Sequence, residues 1–191
     1  AWARPTARGA WTSGYGGVLP VGGAIAVGVA GMHAVLDIDA GGKKVRVQPG
    51  LIWEELERKL EPFGLSLRLY PSSTPSSSVA GWLAQGGAGF GSYEYGMFKD
   101  NVASARVVLP TGEVREFSGD DLARYIADAE GITGIITEVT VLLRDLEPET
   151  HRVVAFKDAA SISAALAAVS AQRLPIWSIT FLNPESTRLK K

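Results

Sequence analysis

Three glycine- and serine-rich clusters, far apart in the chain, hold the residues best suited to chemistry. They run Arg8-Gly-Ala-Trp-Thr-Ser-Gly-Tyr-Gly-Gly17, then Pro71-Ser-Ser-Thr-Pro-Ser-Ser-Ser-Val-Ala-Gly-Trp-Leu-Ala-Gln-Gly-Gly-Ala-Gly89, then Glu130-Gly-Ile-Thr-Gly-Ile-Ile-Thr137. Each is poor in bulky side chains, so backbone N–H groups and hydroxyls can come close to a large polar ligand. Glycine also permits the positive-φ conformations that turn successive amides toward one point. A concavity of that kind binds phosphate oxygens. Any one cluster is explained equally well as an ordinary turn. Three together, each at the edge of an apolar segment, point to a cradle for a long, charged ligand.

Periodic segments must position these clusters. Apolar runs at 24–29 and 34–38, and a short one at 45–47, read as strands; Pro49-Gly50 then breaks the chain. Ile52, Leu56, Leu60 and Phe63 fall on one face of a helix, with Gly64 at its C-terminal cap. The runs 105–109 and 114–117 flank Pro110-Thr-Gly-Glu113 as a hairpin. Asp120-Asp121 can cap a short helix through Asp128. Ile135, Thr137, Val139, Val141 and Leu143 alternate along one strand face. A central sheet from 105–117 and 135–143, flanked by helices near 52–63 and 78–86, is therefore expected: an α+β fold. Residues 146–149 read as a linker. Beyond it, strands at 152–156 and 176–181 flank a helix capped by Asp158, with Ile162, Leu166 and Val169 facing inward.

Composition narrows the function classes. The chain has 191 residues, 46% of them hydrophobic, and a net charge of −1. It reads as globular, with length enough for a sizeable core. The near-neutral balance and the lack of a dense Lys/Arg run argue against a nucleic-acid surface. There is no cysteine, which excludes disulfides, thiolate catalysis and iron–sulfur ligation within the chain. Residues 9–36 carry no Asp, Glu, Lys or Arg, long enough to span a bilayer. The abundance of glycine, together with Pro20 and His33, argues instead for a turn followed by a buried strand. No secretory leader is expected, and a cytoplasmic location is the default. No His/Asp/Glu cluster has metal-ligand spacing, so no metal is expected. His33 reads as a core histidine and His151 as exposed.

With these residues in view, the chain resembles the FAD-binding domain of the vanillyl-alcohol oxidase / p-cresol methylhydroxylase flavoprotein superfamily, on its glycolate and D-lactate dehydrogenase branch. Arg8-Gly-Ala-Trp-Thr-Ser-Gly14 resembles the loop that holds the FAD pyrophosphate. Pro71-Ser-Ser73 through Gly89, with Ser92-Tyr-Glu-Tyr-Gly96, is similar to the segment around the ribityl chain and flavin. Glu130-Gly-Ile-Thr-Gly-Ile-Ile-Thr137 resembles the late segment that meets the nucleotide, and Val107-Val-Leu-Pro-Thr-Gly-Glu113 also matches. The likeness covers residues 4 to 145. It implies an FAD-binding type-2 (PCMH-like) domain over 1–146, with its N-terminal subdomain incomplete. It also implies that 147–191 is the linker and beginning of a truncated substrate-binding cap, so that the chain is a fragment of a longer protein.

The resemblance implies these cofactor contacts: Arg8, Gly9, Ala10, Trp11, Thr12, Ser13 and Gly14 at the pyrophosphate; Pro71, Ser72, Ser73, Ser76, Ser77, Gly81, Gln85, Gly86, Gly87, Gly89, Ser92, Tyr95 and Gly96 along the ribityl chain and flavin; and Glu130, Gly131, Gly134, Ile135 and Ile136 at the nucleotide. Tyr93 is a further candidate for the ring border. Trp11 departs from the pattern, which has a small residue there. No histidine falls in the pyrophosphate loop, where covalent members attach FAD, so non-covalent FAD is expected.

The activity implied is hydride transfer from a small hydroxy acid or alcohol to the flavin, with electrons passed to an acceptor on another chain or domain. No acid–base pair is evident, so no catalytic residue is assigned and a base is expected in the cap. Two alternatives share the same residues: an NADPH-dependent flavin reductase of the same fold, and a flavin-binding or scaffold module without activity.

Overall fold

The computed structural model describes residues 5–189. Its centre is an antiparallel six-stranded sheet in the order β3 (Val35–Asp39), β4 (Lys44–Val47), β8 (Ile135–Asp145), β6 (Val102–Val108) and β7 (Val114–Ser118), with β5 (Leu65–Leu67) paired to the far end of β8. The long β8 organises it: β4 pairs one edge, β6 the other, and Leu67 lies opposite Leu143. The expected central sheet is present. β5 had no signal in the sequence, since three residues are too few to display a period.

One face of the sheet is apolar and one polar, as expected where a single face is covered. Val45, Val47, Ala105, Val107, Val139, Val141 and Leu143 are buried, and Arg46, Arg106 and Glu138 point outward as exposed ion pairs. The alternation in β8 breaks near its start. Register shifts between Arg106 and Val107, which leaves Thr137 as the extra residue of a bulge. Ile136 is therefore buried where Ile135 and Thr137 were expected to be, because a bulge reverses the inward phase. Thr137 Oγ1 donates to the Arg106 carbonyl at 3.1 Å.

Two helices cover the apolar face. α1 (Trp53–Leu60) carries acids in its first turn and bases in its last, which complements its dipole. It buries Leu56 and Leu60 as expected, with Trp53 in place of Ile52 and Phe63. Pro62 has no N–H to continue the ladder, so the chain tightens to a 3₁₀ turn over Glu61–Phe63 and ends at Gly64 in the left-handed region. Phe63 is left 53% exposed. α2 (Val79–Gln85) buries Val79, Ala80, Trp82 and Leu83. Beneath the helices Trp53 meets Trp82 and Phe98 edge-on at 5.4 and 5.1 Å, and Trp82 stacks on Phe98 at 4.6 Å. α3 is the single turn Ser92–Tyr95, and α4 (Gly119–Tyr125) has Ser118 at its N-cap position, earlier than the expected Asp120 cap, and ends short of the expected Asp128.

A separate parallel pair, β1 (Pro5–Arg8) and β2 (Ile25–Gly28), stands beside this body. Parallel strands require a crossover, and here it is the irregular first glycine cluster. β2 is a strand as expected but not a buried one; Ile25 is exposed and Val29, just beyond it, is the buried residue. His33 is exposed in the connection to β3 rather than in the core, while His151 is exposed as expected.

The C-terminal expectations fail in part. α5 (Ala159–Gln172) forms, capped by Asp158, whose carboxylate accepts from the Ser161 N–H at 2.8 Å. Segments 152–156 and 176–181 have no strand partner and no regular structure. A strand needs a neighbouring strand for its backbone groups, and among the described residues no strand is placed beside them, although the Trp177 carbonyl accepts from Glu94 N at 3.4 Å. Ile162, Leu166 and Val169 consequently face no sheet and none is buried. Trp177 fastens this segment: its Nε1 donates to the Arg68 carbonyl at 2.7 Å and its ring packs on Tyr70 and Arg144. α6 (Pro184–Leu189) ends the described chain.

Candidate functional site: a cleft shared by three glycine clusters

Portions of all three clusters line one open cleft of about 910 Å³, its solvent-facing mouth included. Gly9, Ala10, Trp11, Thr12 and Ser13 come from the crossover between β1 and β2. Ser73, Ser77, Gly81 and Gln85 come from the turn before α2 and from α2 itself. Glu130, Gly131 and Gly134 come from the approach to β8, and Ile135 and Ile136 from its first residues. The third cluster is tied to the second through the backbone: Asp128 N donates to the Leu83 carbonyl at 3.1 Å and Glu130 N to the Ala84 carbonyl at 2.8 Å. Glu130 also approaches the first cluster, where a Cβ on Gly17 would come within 2.9 Å of Oε2.

The remaining expected contacts lie off this lining, and most are held by protein. Gly86 ends α2 at φ 79, its N–H on the Trp82 carbonyl. The Gly87 carbonyl accepts from Phe98 N. Gly89 packs on the Tyr70 backbone and donates to Ser92 Oγ at 2.9 Å. The Tyr95 carbonyl accepts from Asn101 Nδ2, its ring lies under Arg68, and Gly96 ends that turn. Pro71, Ser72 and Ser76 shape the serine turn, Pro71 accepting from Thr74 Oγ1 and Ser76 donating to the Ser73 carbonyl. Gly14 and Arg8 also lie outside the lining.

Burial pushes the Tyr70 hydroxyl above the usual tyrosine range, with Glu149 and Glu57 adding to it. Tyr95 is raised for the same first reason, with Glu94 next. Neither ring borders the cleft.

Sequence reasoning passed over Ser78. Ser73 Oγ donates to Ser77 Oγ, and Ser77 Oγ to the Ser73 carbonyl, each at 3.0 Å. Ser78 is different. It occupies the N-cap position of α2 yet makes no capping bond, and its buried Oγ has no hydrogen-bond partner. A Cβ on Gly9 or Gly81 would come within 2.7 or 2.8 Å of that oxygen. The hydroxyl is thus set on the cleft wall between two positions that glycine keeps open. The available signal was its place one residue before the apolar run of α2, where a Ser normally turns to cap. Trp82, also missed, gives the cleft a stiff aromatic floor.

The donor set fits a dinucleotide. A diphosphate needs N–H and O–H donors close to backbone, and a buried hydroxyl without a partner is the kind of group that a ligand oxygen satisfies. Arg8 Nε is likewise buried without an acceptor. Neither histidine lines the cleft, and there is no cysteine. No helix among the described residues is long and apolar enough to cross a membrane.

Comparison with known proteins agrees with this geometry. The FAD binding domain family matches residues 3–118. The chain is 36% identical over 171 residues to a mitochondrial D-lactate dehydrogenase (cytochrome) of Arabidopsis thaliana, covering 82% of this chain and 30% of that protein. It is 32% identical over 153 residues to a glycolate oxidase subunit GlcD of Bacillus subtilis, covering 76% and 32%. Among solved structures, alkyldihydroxyacetonephosphate synthase superposes with a TM-score of 0.82 at 28% identity, over 98% of this chain and 36% of that one. The chain therefore spans about a third of the length of these relatives. It belongs to the FAD binding domain family, within the vanillyl-alcohol oxidase / p-cresol methylhydroxylase superfamily of FAD-linked oxidoreductases, with FAD as its cofactor.

Proposed function

We propose that this chain is the FAD-holding part of a dehydrogenase that takes a hydride from a small hydroxy acid or alcohol and passes electrons to an acceptor on another chain or domain. The observation that carries the reading is the unpartnered Ser78 hydroxyl, set between Gly9 and Gly81 on a wall built from all three clusters. Bound FAD supplies the hydride acceptor. The chain's residues bind and orient it. Backbone amides of 9–14 and Ser78 Oγ donate to the diphosphate, Ser73 and Ser77 serve the ribityl hydroxyls, and Gln85 meets the flavin edge. Glu130 accepts from ligand hydroxyls. The residues off the lining, from Gly86 to Gly96, brace the wall. The substrate class is supported by the names of the relatives, D-lactate dehydrogenase and glycolate oxidase. A domain division near 146 and a cytoplasmic location belong to the same proposal, although some relatives are mitochondrial; fractionation of the native protein checks the latter.

The experiment is FAD reconstitution followed by anaerobic spectroscopy. FAD at a hundred times its Kd should stabilise the chain by about 2.7 kcal/mol. Bleaching by D-lactate or glycolate supports the dehydrogenase. Bleaching by NADPH alone would support the reductase, and failure to take up flavin would support a scaffold. No acid–base group on the cleft is assigned to catalysis, so slow bleaching without turnover is expected from this chain alone. Turnover on the order of 1 s⁻¹ or more would place a complete active site within these residues.

A further inference from the structure

Trp11 puts an indole into a loop whose neighbouring residues, Gly9, Ala10, Thr12, Ser13 and Gly14, are all small. Its φ is 62, a region that costs a bulky side chain free energy and glycine almost none. The indole lines the cleft and is 58% exposed, so its own burial does not repay that cost. What it does hold is Arg8, whose Cζ lies 3.2 Å from the centre of the Trp11 ring. Arg8 forms no salt bridge among the described residues, and its Nε is buried without an acceptor.

Arg8 is not itself part of the lining, but Ala7 and Gly9 on either side of it and the Trp11 ring under its guanidinium are, so we propose that Trp11 is a positioning residue for Arg8, fixing its guanidinium beside the lining as a charge partner of an anionic ligand in this cleft; the inference rests on the FAD reading, in which that anion is the diphosphate. The physical reason is a division of surfaces. A guanidinium stacked on an indole uses its flat face. Its N–H donors lie in the plane of the group and stay free at the edge, where they match phosphate oxygens two at a time. A lysine or an unstacked arginine on a glycine-rich loop would have to be ordered at the moment of binding. The stacked one is ordered beforehand, which lowers the entropy lost on association.

Calorimetric titration with FAD, ADP and riboflavin tests this, with thermal melting of each ligand-free variant alongside. Trp11→Gly should weaken FAD and ADP by about tenfold and leave riboflavin, which lacks phosphate, unchanged. The melting temperature should hold or rise, since glycine relieves the backbone at φ 62. Trp11→Phe should restore most of the affinity, and Trp11→Leu should not. Arg8→Gln should lose a similar factor, and the double variant Arg8→Gln/Trp11→Gly no more than either alone. Equal or tighter FAD binding by Trp11→Gly would show that the indole only obstructs the mouth, and overturns the inference while the FAD reading stands. Wild-type chain that binds neither FAD nor ADP overturns both.

Discussion

Ser78 and Gly9, far apart in the chain, meet on the cleft wall so closely that a Cβ on Gly9 would come within 2.7 Å of Ser78 Oγ. The contact joins the first glycine cluster to the second. It also explains why the hydroxyl is orphaned: turned toward the crossover loop, it cannot cap α2, and it reaches no acceptor in the protein.

Ser78→Ala should therefore separate stability from binding. Removing a buried, unsatisfied hydroxyl should leave the ligand-free chain unchanged or stabilise it by about 1 kcal/mol. A hydrogen bond to a charged ligand group contributes about 1.5–3 kcal/mol, so FAD affinity should fall at least tenfold. Thermal melting and calorimetry read the two effects. Unchanged FAD affinity would remove Ser78 from the site.

Gly9→Ala and Gly89→Ala should fail in different ways. The new methyl at Gly9 meets a side-chain oxygen that can rotate away, so the fold survives while the cleft loses its hydroxyl and FAD binding weakens. At Gly89 the methyl meets the Tyr70 backbone, including its carbonyl carbon at 2.8 Å. Backbone does not yield as readily, and a loss of more than about 2 kcal/mol is expected in urea unfolding. Equal stability of the two variants would contradict this division.

Trp53 is fully buried against Trp82 and Phe98. Trp53→Ala should cost about 3–5 kcal/mol, and Trp53→Phe distinctly less, because it keeps the ring and deletes an indole N–H that has no partner. Denaturant midpoints decide it; a loss under about 1 kcal/mol for the alanine variant would mean that the cluster packs far more loosely.

Asp158 gives α5 a pH dependence. The Ser161 hydroxyl and N–H both donate to its carboxylate and hold its pKa below the usual aspartate value. A carboxyl lowered in the folded state stabilises at pH above its unfolded value, and that contribution is lost as pH falls through the lowered folded value. Backbone chemical shifts of 159–172 should report full helix at neutral pH and fraying well below about pH 4. Asp158→Ala should fray the helix at neutral pH and flatten the acid response. A helix that persists in the variant would show that capping is dispensable.

Much of the fold was legible because its signals are local. The alternation along β8, the Pro-Thr-Gly turn between β6 and β7, and the spacing of Leu56 and Leu60 each record a period that a strand or helix imposes on its own residues. The cradle composition was legible for a similar reason. Glycine advertises where backbone must come close, and the motif order of the three clusters carried the family.

Tertiary structure decided the rest. Four serines of the second cluster looked equivalent to one another, yet Ser73 and Ser77 satisfy each other, and the hydroxyl left for a ligand belongs to Ser78. That outcome depends on where Gly9 and Gly81 lie, which no neighbour in sequence records. The bulge at Thr137 depends on the register against Arg106 and Val107, and Gly89 on the path of Tyr70. The apolar runs at 152–156 and 176–181 announced strands, but hydrophobic pattern alone supplies no partner for a backbone N–H. A sequence determines what each segment is able to form; which of those forms appears is settled by the groups the fold brings beside it.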